Sequence, residues 1–371
     1  MLRSILISML LGGGVCGQAA DRLDALFAPL ATGKTPGLAV MVRQGGKTIA
    51  QRAYGVRDLR GGQGNDASTN FRLASFTKQF TAMSVMLLVH DGNLRYSQTL
   101  EELLPGFPAW ARSVTLRHLL THTGGVPDYE DTMDSRQYSA EHQIQDAEVL
   151  ALLQKQATPK FAAGARWDYS NSAYVLLGLI VAKVSGVPFE KFVEQRVFQP
   201  LGMGTTLMYR KGQGSVVNRA YGHSKRGGVF VETDQSSTSA TLGDGGMYSN
   251  LNDLAKWDDA LRQYTLLSQK EMAAALIPAT LTNGTATFWP PTPGEDNLNP
   301  GKPVAYGFGW FLDAYRGHAR MWHTGSTSGF RTVIERFPKD DLTVIVLCNR
   351  TDLDAAALAL QVADFYLKPS N

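Results

Sequence analysis

Apolar residues recur at helical spacing in Leu23, Leu26, Phe27 and Leu30, and Pro36-Gly37 stops the run. Two short apolar strands follow, Leu38 to Arg43 and Thr48 to Tyr54, with Gln44-Gly45-Gly46 between them as a hairpin signal. From Ser75 to His90 the period is helical again: Phe76, Phe80, Met83 and Leu87 share a face, and Gly92-Asn93 ends the helix. Helical patterns then dominate to about residue 235, in Leu116 to Thr121, Asp146 to Gln156, Ser172 to Ser185 and Phe189 to Phe198.

The pattern changes near Gly243. Gly243-Asp244-Gly245-Gly246 reads as a tight-turn cluster, Leu251 to Tyr264 as a helix, and Asn283 to Pro303, rich in Pro, Gly and Asn, as a surface loop. Strand-like runs occupy Tyr306 to Asp313, Ala319 to His323, Gly329 to Phe337 and Leu342 to Cys348, with Pro338 to Asp341 as a turn. A last helix runs from Asp354 to Tyr366. Neither set of strands alone makes a comfortable sheet. The expected fold is therefore α/β (α+β), with residues 21–80 and 236–371 forming one antiparallel sheet flanked by terminal helices. Residues 81–235 form an inserted, mostly helical lobe, and an active site is expected between the two parts.

The chain has 371 residues, 44% of them hydrophobic, enough for a large core. Lys and Arg total 36 against 33 Asp and Glu, and they are scattered, which argues against a nucleic-acid partner. Residues 1–20, MLRSILISMLLGGGVCGQAA, combine Arg3, an apolar stretch from Ile5 to Val15, and small residues at Gly17, Ala19 and Ala20. That is the layout of a cleavable signal peptide, so an exported protein, periplasmic or secreted, is expected. The stretch is shorter than the ~20 residues a membrane span needs, and no later run is long enough. A lipidated Cys16 is poorly served by Gly13, Gly14 and Val15. Cleavage leaves Cys348, inside LTVIVLC, as a small core residue with no disulfide partner.

The chain has no G-x-S-x-G elbow, since Gly325 to Gly329 carries Thr327 at its centre, and no H-E-x-x-H. It does have Ser75-Phe76-Thr77-Lys78 at a helix start, where a hydroxyl and an amine fall within one turn. Backbone N–H groups there favour an oxyanion and disfavour a protonated amine. Taken alone, the fragment reads equally as a Ser N-cap followed by a solvated Lys. Tyr169-Ser170-Asn171 offers a phenol for proton transfer and an amide to orient a lysine, but Tyr248-Ser249-Asn250 repeats it. His323-Thr324-Gly325 offers an electrostatic side chain and a small residue for close substrate approach on an edge strand. It too has a twin, His122-Thr123-Gly124, which reads as a helix C-terminus. His118 and His122 lie four apart without an acidic or Cys partner, so no metal is expected.

The order S-x-x-K, Y-x-N, H-T-G resembles the penicillin-recognising serine hydrolase superfamily, within it the branch of class C beta-lactamases, D-Ala-D-Ala carboxypeptidases, D-aminopeptidases and beta-lactamase-like esterases. LRHLLTHTGG (Leu116 to Gly125), GDGGMYSNLNDLAKW (Gly243 to Trp257), YGFGW (Tyr306 to Trp310) and HTGSTSGF (His323 to Phe330) agree with it. The resemblance covers roughly residues 22 to 367 and implies a beta-lactamase/transpeptidase-like fold. It also chooses between the twins, making Tyr169 and His323 the functional copies. By the same resemblance Ser75 is the acylated nucleophile, Lys78 and Tyr169 share the general base, and Asn171 orients Lys78 and substrate. His323, Thr324 and Gly325 line the substrate strand, and the backbone N–H groups of Ser75 and Ser326 form the oxyanion hole. The implied activity is cofactor-free serine hydrolysis of an amide or ester, as in a carboxypeptidase, D-amino-acid peptidase or esterase, on a small molecule or peptide such as a cell-wall peptide or short-chain ester. A true beta-lactamase and a catalytically silent binding protein are the alternatives. Class C beta-lactamases carry Lys where this chain has His323, so an imidazole titrating near its ordinary ~6.5 is expected to read substrate charge more weakly.

Overall fold

The computed structural model describes residues 22–293 and 298–369, so the expected signal peptide lies outside the described residues. Strands β1 (Leu38–Gln44) and β2 (Lys47–Tyr54) form the first hairpin, and β3 (Phe71–Arg72) leads into Ser75. Then come β4 (Leu207–Met208), β5 (His223–Arg226), β6 (Val229–Glu232) and β7 (Met247–Ser249). The chain closes with β8 (Phe311–Tyr315), β9 (His318–Thr327), β10 (Phe330–Phe337) and β11 (Leu342–Cys348). The principal sheet is antiparallel with order β2-β1-β11-β10-β9-β8, so the amino-terminal hairpin and the carboxy-terminal strands join, as their patterns imply. Gly45 and Gly46 both have positive φ, 59° and 72°, as a tight two-residue hairpin turn requires.

Both faces of this sheet are covered. Leu38, Val40, Val344 and Val346 pack with Leu23 and Phe27 of the helix at 22–27 and with Leu358 and Val362 of the helix Ala355–Ala363. Ala39, Met41, Ile345 and Leu347 face the other way, into the core shared with the helical lobe. Burial on both sides explains why β1 and β11 read as unbroken apolar runs. Cys348 is fully buried, and burial pushes its thiol up to about 12, consistent with an inert core residue.

The helix Lys78–His90 departs from its expected one-sided pattern: every residue from Lys78 to Leu88 is buried. It packs against helix Asn171–Ser185, while Phe80 lies 4.2 Å from Trp257 of helix Leu251–Gln263, ring centre to ring centre. The stretch read as one helix from Phe189 to Phe198 turns into a π-helical segment at Glu194–Phe198. Of the run Tyr306 to Asp313, only Phe311 onward is strand, and Tyr306 makes a single bridge back to Phe311. Within 81–235 the structure adds β4, β5 and β6, which the helical reading did not anticipate. β4 joins β3 and β7 in a small sheet, and the β5–β6 hairpin lies at the end of the principal sheet, where the His223 N–H reaches the carbonyls of Gly329 and Asn349. Among the described residues no single helix is long and apolar enough to cross a membrane; one consecutive pair, bent by 78°, reaches the length only together.

Asn349 ties these parts together from a fully buried position. Its Oδ1 accepts from the Gly37 N–H at 2.8 Å, and its Nδ2 donates to the carbonyls of Val56, Arg57 and Tyr221. Asn349→Ala is expected to lower stability by about 3 kcal/mol or more, because buried backbone groups lose their partners. Asn349→Asp should not rescue it, since a carboxylate presents acceptors to three carbonyls. Urea denaturation of both variants checks this, and a loss below about 1 kcal/mol would contradict it.

Candidate active site

β3 delivers the chain to the site. The Leu73 N–H donates to the Met247 carbonyl at 2.8 Å, Ala74 takes a positive φ of 50°, and Ala74–Thr77 form a 3-10 turn before the helix begins at Lys78. A left-handed alanine is strained, and it turns the chain so that Ser75 lies in the 3-10 turn before the helix and not within it. Ser75 caps nothing, and Lys78 is fully buried, so the reading as an N-cap with a solvated lysine does not hold. Lys78 Nζ donates to Asn171 Oδ1 at 2.8 Å and to the Asp244 carbonyl at 2.9 Å, and lies 2.9 Å from Ser75 Oγ. Two of these partners only accept, so two N–H bonds are committed. Along the contact to the serine hydroxyl an ammonium donates, and an amine lone pair receives a proton.

The two Tyr-Ser-Asn copies differ in which residue caps the following helix. In the first, Ser170 accepts from the Ala173 N–H, which leaves Asn171 at the first helical position for Lys78. In the second, Asn250 itself accepts from the Asp253 N–H and bonds Asn70, while buried Tyr248 receives the Arg219 guanidinium at 3.0 Å. The Tyr169 ring lies 4.8 Å from Lys78 Nζ, whereas Tyr248 belongs to a separate aromatic cluster.

β9 supplies the opposite wall. β8 pairs only as far as Trp322, so His323 to Thr327 run past it, and His323 to Ser326 share a cavity with Ser75. A Cβ on Gly325 would lie 1.9 Å from the Leu73 carbonyl oxygen and 2.4 Å from Thr332 Oγ1, which itself donates to Leu73. Gly325 is therefore required where β9 packs on the turn before Ser75, a protein contact rather than the expected space for substrate. His323 is buried, with Nδ1 2.6 Å from the Thr324 carbonyl and Nε2 3.0 Å from the Tyr306 hydroxyl. The carbonyl can only accept, so Nδ1 carries the proton and Tyr306 donates to Nε2.

Two cavities meet at Ser75, and both also touch Ser326 and Arg331. One, of about 490 Å³, is lined by hydroxyls such as Ser236, Thr238 and Ser328, with Arg72 and Asp244. The other, of about 620 Å³, contains Tyr169, Thr324 and Gly325 and is walled by Trp289, Phe311 and Trp322.

Residues 23–367 match the family model described as Beta-lactamase. The chain belongs to the beta-lactamase family. Penicillin-binding protein 4* of Bacillus subtilis (strain 168) is 30% identical over 346 residues, a match spanning 89% of this chain and 72% of that protein. The penicillin-binding protein from Bacillus halodurans superposes with a TM-score of 0.73 at 26% identity, over 89% of this chain and 95% of that one. The D-amino acid amidase of Ochrobactrum anthropi SV3, complexed with L-phenylalanine, shares the fold, with a TM-score of 0.73 at 22% identity over 95% of this chain and 97% of that one. The fold is thus one the chain shares with penicillin-binding proteins and with a D-amino acid amidase.

Within this beta-lactamase-family site, His323 needs correction. Burial, and then the positive charge of Lys78, push its imidazole down to about 3, far below the ~6.5 expected of a charge reader. It is a neutral, doubly hydrogen-bonded wall residue. His122 was read as a helix end, and it does follow helix Leu116–Leu120 with a φ of 58°. Yet its Nδ1 also accepts from the Ser170 N–H, and its ring lies 4.5 Å from that of Tyr169, beneath the site. The Asp244 carbonyl and Arg331 escaped sequence reasoning: the first acts through its backbone, and the second is one of three charged residues in β10 with no motif to single it out. His118 caps its own helix, and among the described residues no cluster of three or more His, Cys, Asp or Glu could hold a metal.

The depressed imidazole has a thermodynamic consequence. Below pH ~6.5 the unfolded chain takes up a proton that folded His323 refuses until about pH 3, so its contribution to stability is complete above ~6.5 and drains away as pH falls. His122 acts in the same direction. Between pH 7 and 4.5 the expected loss from His323 is roughly 2–3 kcal/mol. His323→Gln should show a correspondingly shallower decline in urea titrations at the two pH values; an unchanged decline would mean that His323 accepts protons freely in the folded state.

Proposed function

We propose that the protein hydrolyses amide or ester substrates by acyl transfer through Ser75. The observation that carries this reading is the buried Lys78 amine, held by Asn171 and the Asp244 carbonyl and 2.9 Å from Ser75 Oγ. As Oγ attacks the substrate carbonyl, its proton passes to the Lys78–Tyr169 pair, and the carbonyl π electrons move onto oxygen. The backbone N–H groups of Ser75 and Ser326 are the proposed donors to that oxyanion. Collapse expels the leaving group, which takes the proton from Tyr169; water then attacks the acyl carbon and gives a proton to the same base, the acyl–Oγ bond breaks, and Ser75 Oγ takes that proton back as the acid product leaves.

The neutral wall at His323 favours a peptidase, amidase or esterase over a true beta-lactamase, because no permanent ammonium stands there to draw a carboxylate. The pattern of residues 1–20 supports export as the setting.

Intact-mass analysis after exposure to p-nitrophenyl esters, D-Ala-D-Ala peptides, D-amino-acid amides and cephalosporins should find an acyl adduct that peptide mapping places on Ser75. Ser75→Ala should lose at least ~10³-fold in rate while folding normally. An adduct on another serine, or activity retained in Ser75→Ala, would refute the assignment. Tyr169→Phe should cost ~10²-fold or more in turnover, whereas Tyr248→Phe, which removes a buried hydroxyl bonded to Arg219, should act on stability. Equal kinetic losses in two folded variants would overturn that distinction.

A further inference from the structure

The two cavities at Ser75 have opposite chemistry, and the apolar one is built from a cluster separate from the main cores of the fold. Trp289, Phe311 and Trp322 belong with Trp167 and Tyr306 to this cluster. Phe311 stacks on three rings, Trp322 at 4.6 Å and 23°, Trp289 at 5.4 Å and 15°, and Tyr169 at 6.5 Å and 10°, while Tyr306 meets it edge-on at 4.8 Å and 82°. The register fixes one pair, since Phe311 stands opposite Trp322 across β8 and β9. The third ring comes from the loop that precedes β8.

All three rings are less than a tenth exposed, so a substrate group entering here meets a wall that needs no ordering. Leu298 at the rim leaves 51% of its surface in solvent, and Leu353 and Ala356, with Asp352 and Asp354 beside them, line the same cavity near the start of the carboxy-terminal helix. Across Ser75 the other cavity presents hydroxyls and the Arg72 guanidinium. A scissile carbonyl at Ser75 therefore has an aromatic side and a hydrogen-bonding side.

We propose that the cavity walled by Trp289, Phe311 and Trp322 is the subsite for a bulky apolar group of the substrate, an aromatic ring above all, and that the hydroxyl-lined cavity takes a polar group. The substrate class is then an amide or ester joining an aromatic or large aliphatic part to a polar part. This rests on the acyl-transfer reading above. Trp289 is a specificity residue and takes no part in the proton transfers.

Two series of thioesters test it. In one, a small polar thiol is kept and the acyl group runs from acetyl to hexanoyl to 3-phenylpropanoyl; in the other, acetyl is kept and the thiol is 2-hydroxyethyl or benzyl. Thiol release gives kcat/KM. An aromatic preference of about tenfold or more is expected in one series and not in the other. Trp289→Ala should cut that preference at least about fivefold, and Trp289→Phe should keep most of it, with thermal melts confirming that both are folded. No preference in either series, equal preference in both, or a preference untouched by Trp289→Ala would overturn the proposal. Loss of the Ser75 adduct alone would overturn the acyl-transfer reading instead. In that case calorimetry on Ser75→Ala decides the subsite: 3-phenylpropanamide should bind at least about tenfold more tightly than acetamide, with the difference abolished by adding Trp289→Ala. Equal binding of the two amides would refute it.

Discussion

A primary amine taken wholly out of water must find partners for its hydrogens, and Lys78 finds them on three separate parts of the chain. Ser75 lies on the turn after β3, Asn171 at the first position of a helix in the inserted lobe, and Asp244 in a glycine-rich turn far along the sequence. An unpartnered buried amine would cost several kcal/mol, so these segments must converge for the protein to fold at all. The glycines around Asp244 follow from the same requirement. A Cβ on Gly243 would lie 2.2 Å from the Tyr174 carbonyl oxygen, so only glycine lets that turn settle on the Asn171–Ser185 helix while the next carbonyl faces Lys78. The carbonyl of Gly243 itself accepts from Thr81 Oγ1 one turn further along the Lys78 helix.

The sheet approaches the same centre from the other side under an equally strict condition. Gly325 and Thr332 bring β9 and β10 onto Leu73, two residues before Ser75. Beneath the centre, His122, Tyr174, Tyr306 and His323 form a neutral aromatic layer, because burial lowers both imidazole pKa values and raises both phenols. Such surroundings screen charge poorly, so Lys78 and any oxyanion beside it interact strongly.

The parts of this arrangement written in local pattern could be read from the sequence. The strands of the principal sheet were legible because apolar runs such as Leu342 to Cys348 are bounded by turn residues and buried on both faces. The Lys78–His90 helix was legible as a helix but not as a fully enclosed one. Its Gln79, Thr81 and Ser84 are buried with hydrogen bonds to Trp257, the Gly243 carbonyl and the Phe80 carbonyl, and a periodicity reading assigns such residues to solvent. Motif chemistry singled out Ser75 and Lys78 but could not choose between the two Tyr-Ser-Asn copies, because the difference is which residue the helix uses as its cap; the choice of Tyr169 and Asn171 came from the family resemblance. The neutrality of His323 depends on burial and on the nearby charge of Lys78, both tertiary properties with no residue-type signature.

The enclosed Lys78–His90 helix also divides the molecule into a part that resists change and a part that invites it. From Lys78 to Leu88 every residue is buried, so substitution there disturbs packing on every side. The walls beyond Ser75 are different: Trp289 and Leu298 come from the loop before β8, and Ser236 to Thr238 from the approach to the glycine-rich turn. Loops accept insertion and replacement that a core helix does not. Selection acting on this chain can therefore retailor what the site admits by editing its rim, while the reaction centre stays fixed, an inherited chassis on which new specificities are mounted.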